Sequence, residues 1–504
     1  MSSSVLLLKD FLNSLDYQHL YNRVDNTYVN GVSFDSRQVK PGHIFVVVKG
    51  QHHDGHNFLQ EALDKGASAV LSEKKLASDC TVPWIQVNDS RLALAQLSTC
   101  LYQHPSRDLL LTGVTGTCGK TTITSMLNHI YDTAVLNSGL IGTVQIQSGS
   151  QSWGAKMTTP DALELQKILR LMVDSGVTHA AMEVSSHGLA QKRVDGIHFC
   201  GSIFTNISPN HLDFHQDIED YAKTKKRLAL LVETGGFILA NGDDPIFRTL
   251  KNNSKSTLFY YGENPSCHFH IQNISSGLNG TSFKVSLPVS KQLENKTQNN
   301  SLHLHIPLLG RHNVYNAAAA AAAALLIDIP EESIIKGLAS FQGVERRMQL
   351  HHFHDIQVID DTAMSPGSID AVFSTLQELH FSDLVVVYAI RGCRGTRVNE
   401  DNGRALAHWS KDLNVRHFFS TSSISHVDEQ NKVLPEEEEA FLRGSLSLGI
   451  LPKHFMELPE ALSQALKVVE PGTTLLLLGA QGMDAGLASL QEQLKDRQVL
   501  VAPY

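Results

Sequence analysis

The chain has 504 residues, of which 42% are hydrophobic and 18% are charged, and its formal net charge is −9. This length exceeds what a single hydrophobic core usually supports, so we expect two or three domains. The composition excludes a disordered chain and a membrane protein, and an acidic balance without a basic stripe excludes nucleic acid as a partner. The six cysteines form no CxxC pair, which argues against a disulfide framework and a zinc site.

The N-terminal segment is not expected to be a targeting signal. The chain opens with MSSSVLLLKDFLNSL, in which Lys9 and Asp10 interrupt the apolar run and no basic start or small-residue cleavage site is present. No later stretch approaches the roughly 18 uninterrupted apolar residues of a membrane span. We therefore expect an amphipathic first helix, no membrane insertion, and a cytoplasmic, monomeric protein.

Residues 1–107 are predicted to form a first α/β domain. The apolar strand HIFVVV begins at residue 43, and a helical stretch, FLQEALDKGASAVL, follows from residue 58. The domain ends near the turn-forming sequence QHPSRD at residues 103–108.

Residues 108–344 are predicted to form a central domain with a mainly parallel sheet. The apolar run 109–114 precedes a glycine loop and a helix that begins near Lys120, and further buried strands are predicted in THAAMEV (178–184), SIFTNI (202–207) and GFILAN (236–241). The polar stretch 253–300 is predicted to form an antiparallel appendage or loops rather than core. Eight alanines at 317–324 predict a packing helix.

Residues 345–504 are predicted to form a third α/β domain. Its apolar strands are predicted in IQVID (356–360), LVVVYAI (384–390) and TTLLLLG (473–479), with helical stretches between them.

The strongest local signal is the loop GVTGTCGKTT at residues 113–122, between a strand and a helix. Such a loop directs backbone N–H groups and a helix N-terminus at phosphates, while its lysine reaches the terminal phosphates and a threonine hydroxyl ligates Mg²⁺. Val114 stands where the strict P-loop pattern has its first glycine. The loop predicts ATP and Mg²⁺ as cofactors.

The loop pattern GxxGxxGKTT resembles that of the Mur ligases of bacterial cell-wall synthesis. Five downstream motifs strengthen the resemblance, in the order TTPD (158–161), MEVSSHG (182–188), QKRVDG (191–196), FTN (204–206) and HLDFH (211–215). They are similar to those of the MurE branch, which adds the third peptide residue to UDP-N-acetylmuramoyl-dipeptide. First-domain motifs FDSR (34–37), PGHIF (41–45) and GQHHDG (50–55) extend the resemblance over most of the chain.

This resemblance implies a three-domain α/β fold. The first domain would bind the UDP-sugar, the central domain would have a P-loop-type, mainly parallel sheet flanked by helices, and the third would be Rossmann-like and bind the acceptor amino acid. The implied ATP-binding residues are Gly116, Thr117, Gly119, Lys120, Thr121, Thr122, Asn313, Asn316, Arg347 and Asp361.

The resemblance also implies the catalytic and metal-binding residues. The catalytic residues would be Lys120, Glu183, His211 and Lys225. The Mg²⁺ ligands would be Thr121, Glu183, His211 and Lys225, the last as a carbamylated lysine that presents a carboxylate. Lysines at 223 and 226 make the register around Lys225 ambiguous.

The nucleotide-sugar peptide is expected to span the first two domains. The residues that resemble uridine and diphosphate contacts are Ser36, Arg37, His52 and Asp54. Those that resemble contacts to the muramoyl-dipeptide are Thr158, Thr159, Ser185 and Arg193. Arg193 suits a bidentate grip on a carboxylate.

The third domain departs from the family pattern. DTAMSP (361–366) replaces Asp-Tyr-Ala-His-x-Pro, so Met364 stands where the family has histidine, and GCRG (392–395) only loosely echoes the family's basic loop. STSSISH (420–426) and AQGMD (480–484) replace the motifs that hold diaminopimelate. Of these, Asp484 alone is expected to face an amine. The acidic run 436–439 is expected to be a solvated loop or helix start without a role.

We expect an ATP-dependent ligase that forms an amide bond through an acyl phosphate in peptidoglycan synthesis. It would add a free diamino acid, such as meso-diaminopimelate or lysine, to UDP-N-acetylmuramoyl-L-Ala-D-Glu. One alternative is a Mur-like peptide ligase with a different acceptor in a specialised pathway. Another is a non-catalytic homologue that binds nucleotide or UDP-sugar.

Overall fold

The computed structural model describes residues 6–22, 24, 26–50, 53–75, 80–211, 214–251, 255–277, 279–288, 300–353, 356–381 and 383–501. The chain folds into three α/β units, each built on its own sheet, as the sequence predicts. Among the described residues, no helix combines the length and apolarity that crossing a bilayer requires.

The first unit has a five-stranded sheet in the order β2-β7-β6-β5-β4, parallel except for β2. Its elements are β1 (Leu6–Leu7), α1 (Leu8–Leu12), β2 (Tyr17–Tyr21), β3 (Tyr28–Val29), β4 (Gly31–Ser33), β5 (His43–Val46), α2 (Leu59–Asp64), β6 (Ala69–Ser72), β7 (Trp84–Val87) and α3 (Ser90–Leu101).

Two sequence predictions in this unit need correction. The helix predicted from residue 58 ends at Asp64, because Gly66 adopts a φ of +87° that breaks the helix, and the rest of that stretch forms β6. The first helix exists and buries Leu8 and Phe11, but it is short, and Leu6–Leu7 before it pairs with β3 instead.

The central unit has an 11-stranded sheet in the order β11-β10-β9-β12-β8-β13-β14-β15-β16-β17-β18. Its elements are β8 (Leu110–Thr115), α4 (Lys120–Thr133), β9 (Ser138–Ile141), β10 (Gln145–Ser148), β11 (Gln151–Gly154), α5 (Ala162–Asp174), β12 (His179–Glu183), α6 (Ser186–Ala190), β13 (Phe199–Phe204), α7 (Ile218–Lys226), β14 (Val232–Asn241), β15 (Thr257–Gly262), β16 (Phe269–Gly277), β17 (Gly280–Ser286), β18 (Ser301–Ile306), α8 (Arg311–Leu326) and α9 (Glu331–Ser340).

Strands β9, β12, β8, β13, β14, β15 and β16 run parallel, and β17 and β18 continue the sheet antiparallel. The antiparallel prediction for 253–300 is therefore right for the pairing of β16 with β17 and wrong for β15, which pairs parallel with β14 and β16. The exclusion of this region from the core is also wrong. Phe269 and Phe283 are buried in the same apolar cluster as the alanine run of α8. Alanine side chains are short enough to let the helix lie close to these strands.

The third unit has a six-stranded sheet in the order β19-β20-β24-β21-β22-β23, parallel except for β19. Its elements are β19 (Gln349–Phe353), β20 (Ile356–Asp361), α10 (Pro366–Glu378), β21 (Leu384–Ala389), α11 (Thr396–Asp412), β22 (His417–Thr421), α12 (Pro435–Leu446), β23 (Lys453–Phe455), α13 (Leu458–Val468), β24 (Thr474–Leu478) and α14 (Gly486–Val501).

The polar residues singled out in the sequence follow the carboxyl ends of parallel strands. The glycine loop follows β8, Glu183 closes β12, and the segment 205–211 follows β13. These three strands are neighbours in the sheet, so their carboxyl ends meet at one edge. Ligands of open α/β sheets bind at that edge.

Candidate functional site

The glycines of the loop between β8 and α4 pack closely against neighbouring side chains. A Cβ on Gly116 would lie 1.8 Å from Thr205 Oγ1, and one on Gly119 would lie 2.6 Å from Asn316 Oδ1. Gly119 also has a φ of +90°, which disfavours a side chain. The Cys118 N–H donates to Asn206 Oδ1 at 3.0 Å. Only glycine fits at these two positions, which leaves the loop free to approach phosphate.

Two lysine amines point at the same carbonyl of this loop. Lys120 Nζ donates to Gly116 O at 2.9 Å, and Lys225 Nζ donates to the same oxygen at 2.8 Å. Lys225 is 1% exposed. Burial, followed by the nearby charge of Lys120, places the pKa of Lys225 well below its usual range, and burial also lowers the pKa of Lys120. The arrangement favours an anion at the loop.

Glu183 is buried at the end of β12, where Thr143 holds its carboxylate. The Thr143 N–H donates to Oε1 at 2.6 Å, and its hydroxyl donates to Oε2 at 3.0 Å. No motif in the sequence pointed to Thr143, because it lies 40 positions away along the chain. These bonds fix the direction of the carboxylate beside Thr121, which lines the same cavity.

The donor set fits Mg²⁺. Among the described residues, no three His, Cys, Asp or Glu side chains converge on one point. A hydroxyl from Thr121 and one carboxylate from Glu183 nevertheless match the way that Mg²⁺ binds in nucleotide sites, where phosphate oxygens and water complete the coordination. Such a site needs the nucleotide.

His211 lies beyond the end of β13, with its ring centroid 4.9 Å from that of His187. Burial, followed by the charges of His187, Arg391, Lys120 and Lys225, lowers the pKa of His211 far below its usual range. The imidazole is therefore neutral near pH 7, which is the form that ligates a metal. The neighbouring residues 212 and 213 lie outside the described residues.

A cavity of about 670 Å³ gathers the predicted nucleotide-binding residues from two domains. The central domain contributes the loop from Thr117 to Thr122, together with Glu183 and His211, and the third domain contributes Arg347 and Asp361. Among the predicted ATP-binding and catalytic residues, Gly116 and Lys225 are not part of this lining.

The predicted adenine-side asparagines lie at the start of α8, in the same cavity. Asn316 Nδ2 donates to Asn313 Oδ1 at 3.1 Å, and Asn313 Nδ2 donates to Leu309 O at 2.8 Å. These bonds fix both amides. Opposite them, Asp361 accepts from the Met348 N–H at 2.8 Å.

A second cavity of about 670 Å³ lies between the first and central domains. Ser36, Arg37 and Arg193 line it as predicted, and Arg91, which no motif indicated, lines it as well. Asp54 is not in the lining, because its carboxylate accepts from the His56 N–H at 3.0 Å and from Lys74 Nζ at 3.1 Å. His52, predicted as a diphosphate contact, lies outside the described residues.

Two of the predicted dipeptide contacts are engaged within the protein. The Thr159 hydroxyl donates to Glu183 O at 3.0 Å and accepts from the Ser185 N–H at 2.9 Å. Ser185 Oγ in turn accepts from the Gly188 N–H at 3.0 Å and caps α6. Thr159 and Ser185 therefore connect the end of β12 to the start of α6 and line neither cavity.

The segment 157–161 lies between the two large cavities. Met157 and Asp161 line the first-domain cavity, whereas Thr158 lines the nucleotide cavity. Arg193 Nη1 donates to Thr159 O at 2.6 Å and so helps to fix the backbone of this segment. An elongated ligand in the first cavity would therefore reach the nucleotide cavity across this segment.

The third-domain loops that differ from the family pattern are held by internal pairs. Asp484, expected to be available to an amine, is ion-paired with Arg346, which also contacts Asp360 at 3.2 Å. The Ser422 hydroxyl donates to Glu438 Oε2 at 2.8 Å. Asp484 and Ser422 are therefore each engaged by a neighbour in the chain, although the Asp484 side chain remains 64% exposed.

The acidic run 436–439 starts α12, as expected, but the prediction that it has no role is wrong for Glu437. This side chain is 1% exposed, and its carboxylate accepts from the N–H groups of Cys393, Arg394 and Gly395 at 2.8, 2.7 and 2.6 Å. Glu437 therefore holds the loop that follows β21. The sequence pattern of four consecutive acids gave no sign of this contact.

Comparisons with known proteins agree with this geometry. Residues 28–100 match the model "Mur ligase family, catalytic domain", residues 114–324 match "Mur ligase middle domain", and residues 346–481 match "Mur ligase, glutamate ligase domain". The chain is 32% identical over 465 residues to a UDP-N-acetylmuramoyl-L-alanyl-D-glutamate–2,6-diaminopimelate ligase of Clostridioides difficile, covering 91% of this chain and 92% of the relative. An Alkaliphilus metalliredigens protein of the same name is 31% identical, covering 94% and 92%.

Solved structures share the fold over nearly the whole chain. A UDP-N-acetylmuramoyl-L-alanyl-D-glutamate–2,6-diaminopimelate ligase superposes with a TM-score of 0.68 at 22% identity, covering 98% of this chain and 99% of that one. MurF ligase from Thermotoga maritima in complex with ADP gives 0.62 at 18% identity, covering 92% and 98%. The chain belongs to the Mur ligase family of ATP-dependent ligases.

Proposed function

We propose that this enzyme adds the third amino acid, a diamino acid such as meso-diaminopimelate or lysine, to UDP-N-acetylmuramoyl-L-Ala-D-Glu. The names of relatives at 31–32% identity support this substrate. The observation that carries the proposal is the segment 157–161, which lines the first-domain cavity on one side and the nucleotide cavity on the other. A nucleotide-sugar peptide bound along it would present its terminal carboxylate to ATP.

The proposed reaction has two steps. A carboxylate oxygen of the dipeptide attacks the γ-phosphorus of ATP, the bond to ADP breaks, and an acyl phosphate forms. The amine of the acceptor then attacks the acyl carbon, releasing phosphate and a proton as the amide bond forms. Catalysis by positioning and electrostatics suffices for such a transfer.

We assign the phosphate contacts to the glycine loop and to Lys120, whose amine lies at the loop. Thr121 and Glu183 would hold Mg²⁺, which neutralises charge on the phosphates when bound. His211, neutral at pH 7, would be a further metal ligand. Asn313 and Asn316 would bind the adenine side, and Arg347 and Asp361 would contact the nucleotide from the third domain.

We propose that Lys225 is carbamylated. A lysine amine attacks CO₂ only when it is neutral, and burial beside Lys120 holds the pKa of Lys225 well below its usual range. The new N–C bond forms as the amine loses a proton, and the product is a carboxylate at the end of the side chain. That charge would offset the cations around Gly116.

The uridine and diphosphate contacts are proposed for Ser36 and Arg37, and Arg193 and Thr158 are proposed to contact the muramoyl-dipeptide. Domain limits near residues 107 and 344 are part of this proposal, as is action as a monomer in the cytoplasm, where ATP is available. Thr159 and Ser185 are proposed to support the substrate through the backbone that they tie together.

A second candidate is a Mur-like ligase with a different acceptor. The observation that favours it is the ion pair of Asp484 with Arg346, because an acid paired within the protein is less available to the distal amine of a diamino acid. The hydrogen bond from the Ser422 hydroxyl to Glu438 also favours a different acceptor, because it engages another polar group of the altered loops.

The test measures phosphate release by the purified protein with ATP, Mg²⁺ and UDP-N-acetylmuramoyl-L-Ala-D-Glu. Acceptors are meso-diaminopimelate, lysine and a panel of other amino acids, with mass detection of the product. A tripeptide product with a diamino acid supports the proposal. Product formed only with another amino acid would replace it by the second candidate, and an absence of product with every acceptor would contradict both.

A further inference from the structure

Arg391 enters the nucleotide cavity from the third domain. It follows β21 and lines the cavity together with Lys120 and His211 of the central domain. No sequence motif singled it out, because it precedes the loop GCRG that resembles the family's basic segment. The third-domain wall of the cavity therefore carries two guanidinium groups, those of Arg347 and Arg391.

The backbone at Arg391 is fixed from two sides. Asn399 Nδ2 donates to Arg391 O at 2.8 Å. The next residue, Gly392, packs so tightly that a Cβ there would lie 2.1 Å from Asn431 O. Glu437 then holds the following three N–H groups, so the loop has little freedom to move. A cation on a rigid loop is preorganised for an anionic ligand.

Arg391 lines the same cavity as the loop from Thr117 to Thr122. Arg391 and Lys120 line the same cavity together with His211, so two cationic side chains lie around the part of the cavity that holds the glycine loop. The asparagines of α8 lie on the adenine side of the proposed nucleotide. Like charges gathered at one end repel each other, and a bound phosphoryl group relieves that repulsion.

The third-domain wall of the cavity gives a further reason to expect that Arg391 binds a phosphoryl group. Met364 lines the same cavity, and its thioether has no hydrogen-bond donor. Its backbone oxygen accepts from Asn402 Nδ2 at 3.1 Å, which fixes this part of the wall. A phosphoryl group facing it therefore needs its donors from a neighbouring side chain. A guanidinium suits this task because its planar fork matches phosphate oxygens.

We propose that Arg391 binds the transferred phosphoryl group, first as the γ-phosphate of ATP and then as the acyl phosphate, from the side opposite the glycine loop. This assignment rests on the proposed function for the existence of the acyl phosphate. Its first part, contact with the γ-phosphate, depends only on nucleotide binding. That part can be tested without any acceptor or nucleotide-sugar.

The test compares the affinities of ADP and of the non-hydrolysable ATP analogue AMP-PCP, each with Mg²⁺, by calorimetric titration of the full chain. In Arg391→Gln we expect the AMP-PCP affinity to fall by about tenfold or more, as for the loss of a charged hydrogen bond, while the ADP affinity changes by less than about twofold. Arg391→Lys should retain part of the preference for AMP-PCP, because the charge remains.

The matched control is Arg394→Gln on the same loop. Its guanidinium donates to Cys393 O at 2.9 Å and does not line the cavity, so both affinities should stay at the wild-type values. The melting temperature of each variant shows that it is folded. Equal affinities of Arg391→Gln and wild type for AMP-PCP, or an equal loss for both nucleotides, would overturn the assignment. Failure to find an acceptor would leave these titrations unaffected.

Discussion

Glu183 illustrates how one buried side chain serves both the fold and the site. Both of its carboxylate oxygens accept hydrogen bonds from Thr143, and its backbone oxygen accepts from the Thr159 hydroxyl. A buried carboxylate fixed in this way keeps its direction when the nucleotide binds. The residue therefore joins the proposed Mg²⁺ site to the segment that we propose for the substrate.

Glu183→Gln should separate the two roles. An amide can still accept from the Thr143 N–H, so the melting temperature should change little, whereas the loss of the negative charge weakens the proposed Mg²⁺ site. We expect phosphate release to fall at least about 100-fold, as for the loss of several kcal/mol of metal stabilisation. The control is Thr143→Val, which removes one hydroxyl and should cost about 1 kcal/mol of stability. Activity near the wild-type level in Glu183→Gln would remove Glu183 from the metal site.

Carbamylation of Lys225 can be observed directly. Protein equilibrated with ¹³C-bicarbonate should show a carbamate carbon resonance that is absent from Lys225→Ala and present in Lys226→Ala. The Lys226 amine is the matched control, because it contacts the Thr249 hydroxyl at 2.7 Å on the surface. A spectrum without the resonance in wild-type protein would show that Lys225 acts as an amine.

Asp360 carries a pH dependence of stability. Burial outweighs Arg346 and raises the pKa of Asp360 to about 6 from an ordinary value of 3.8. The folded protein then binds the proton more tightly than the unfolded chain, so the contribution of this group to stability falls as pH rises from about 4 to 6. Asp360→Asn should remove this pH-dependent loss of stability, which amounts to about 1–3 kcal/mol. Urea unfolding at several pH values measures it, and parallel curves for both proteins would contradict it.

At the scale of elements, the contact between α12 and the loop after β21 fixes the third-domain wall of the nucleotide cavity. Glu437 lies in the first turn of α12, where an acid also favours the helix N-terminus, and it bonds the loop that carries Arg391. The loop position is thus set by a residue more than 40 positions further along the chain.

Glu437→Gln should loosen this loop. An amide has one acceptor oxygen, so it cannot satisfy all of the N–H groups that the carboxylate accepts, and we expect a loss of about 1–3 kcal/mol of stability. The affinity for AMP-PCP should fall together with it, whereas that for ADP should fall less. Glu439→Gln, in the same acidic run, provides the comparison. A stability equal to wild type would show that the loop does not depend on Glu437.

At the scale of the whole molecule, the nucleotide cavity is shared by the central and third domains. Arg347, Asp361 and Arg391 of the third domain line the same cavity as the loop 117–122 of the central domain. A ligand in this cavity should therefore stabilise both domains together.

AMP-PCP with Mg²⁺ at about 100 times its dissociation constant should add about 2.7 kcal/mol to the free energy of unfolding. Removing Mg²⁺ with a chelator should cancel most of this gain, because the metal neutralises the phosphates beside Glu183. Differential scanning calorimetry gives both values. A gain that survives chelation would mean that the cations of the cavity suffice without metal.

The sequence by itself determined the family, the three α/β domains and the phosphate loop. These features rest on local rules: glycine spacing, the strand-to-helix order, and apolar runs long enough to be buried. The motif residues Lys120, Thr121 and Glu183 come to one cavity because the strands that carry them are neighbours in a parallel sheet. Residue roles and domain limits taken from the resemblance stay predictions, and His52 lies outside the described residues.

Tertiary structure alone decided which polar groups are engaged and which face a ligand. Asp54 bonds His56 and Lys74 instead of facing the first-domain cavity, and Asp484 pairs with Arg346. Conversely, Thr143, Arg91 and Arg391 line the cavities although no motif marked them, and Glu437 holds the loop after β21. The physical reason is that a hydrogen bond depends on distances of about 3 Å between groups far apart in the chain, which periodicity and composition do not encode.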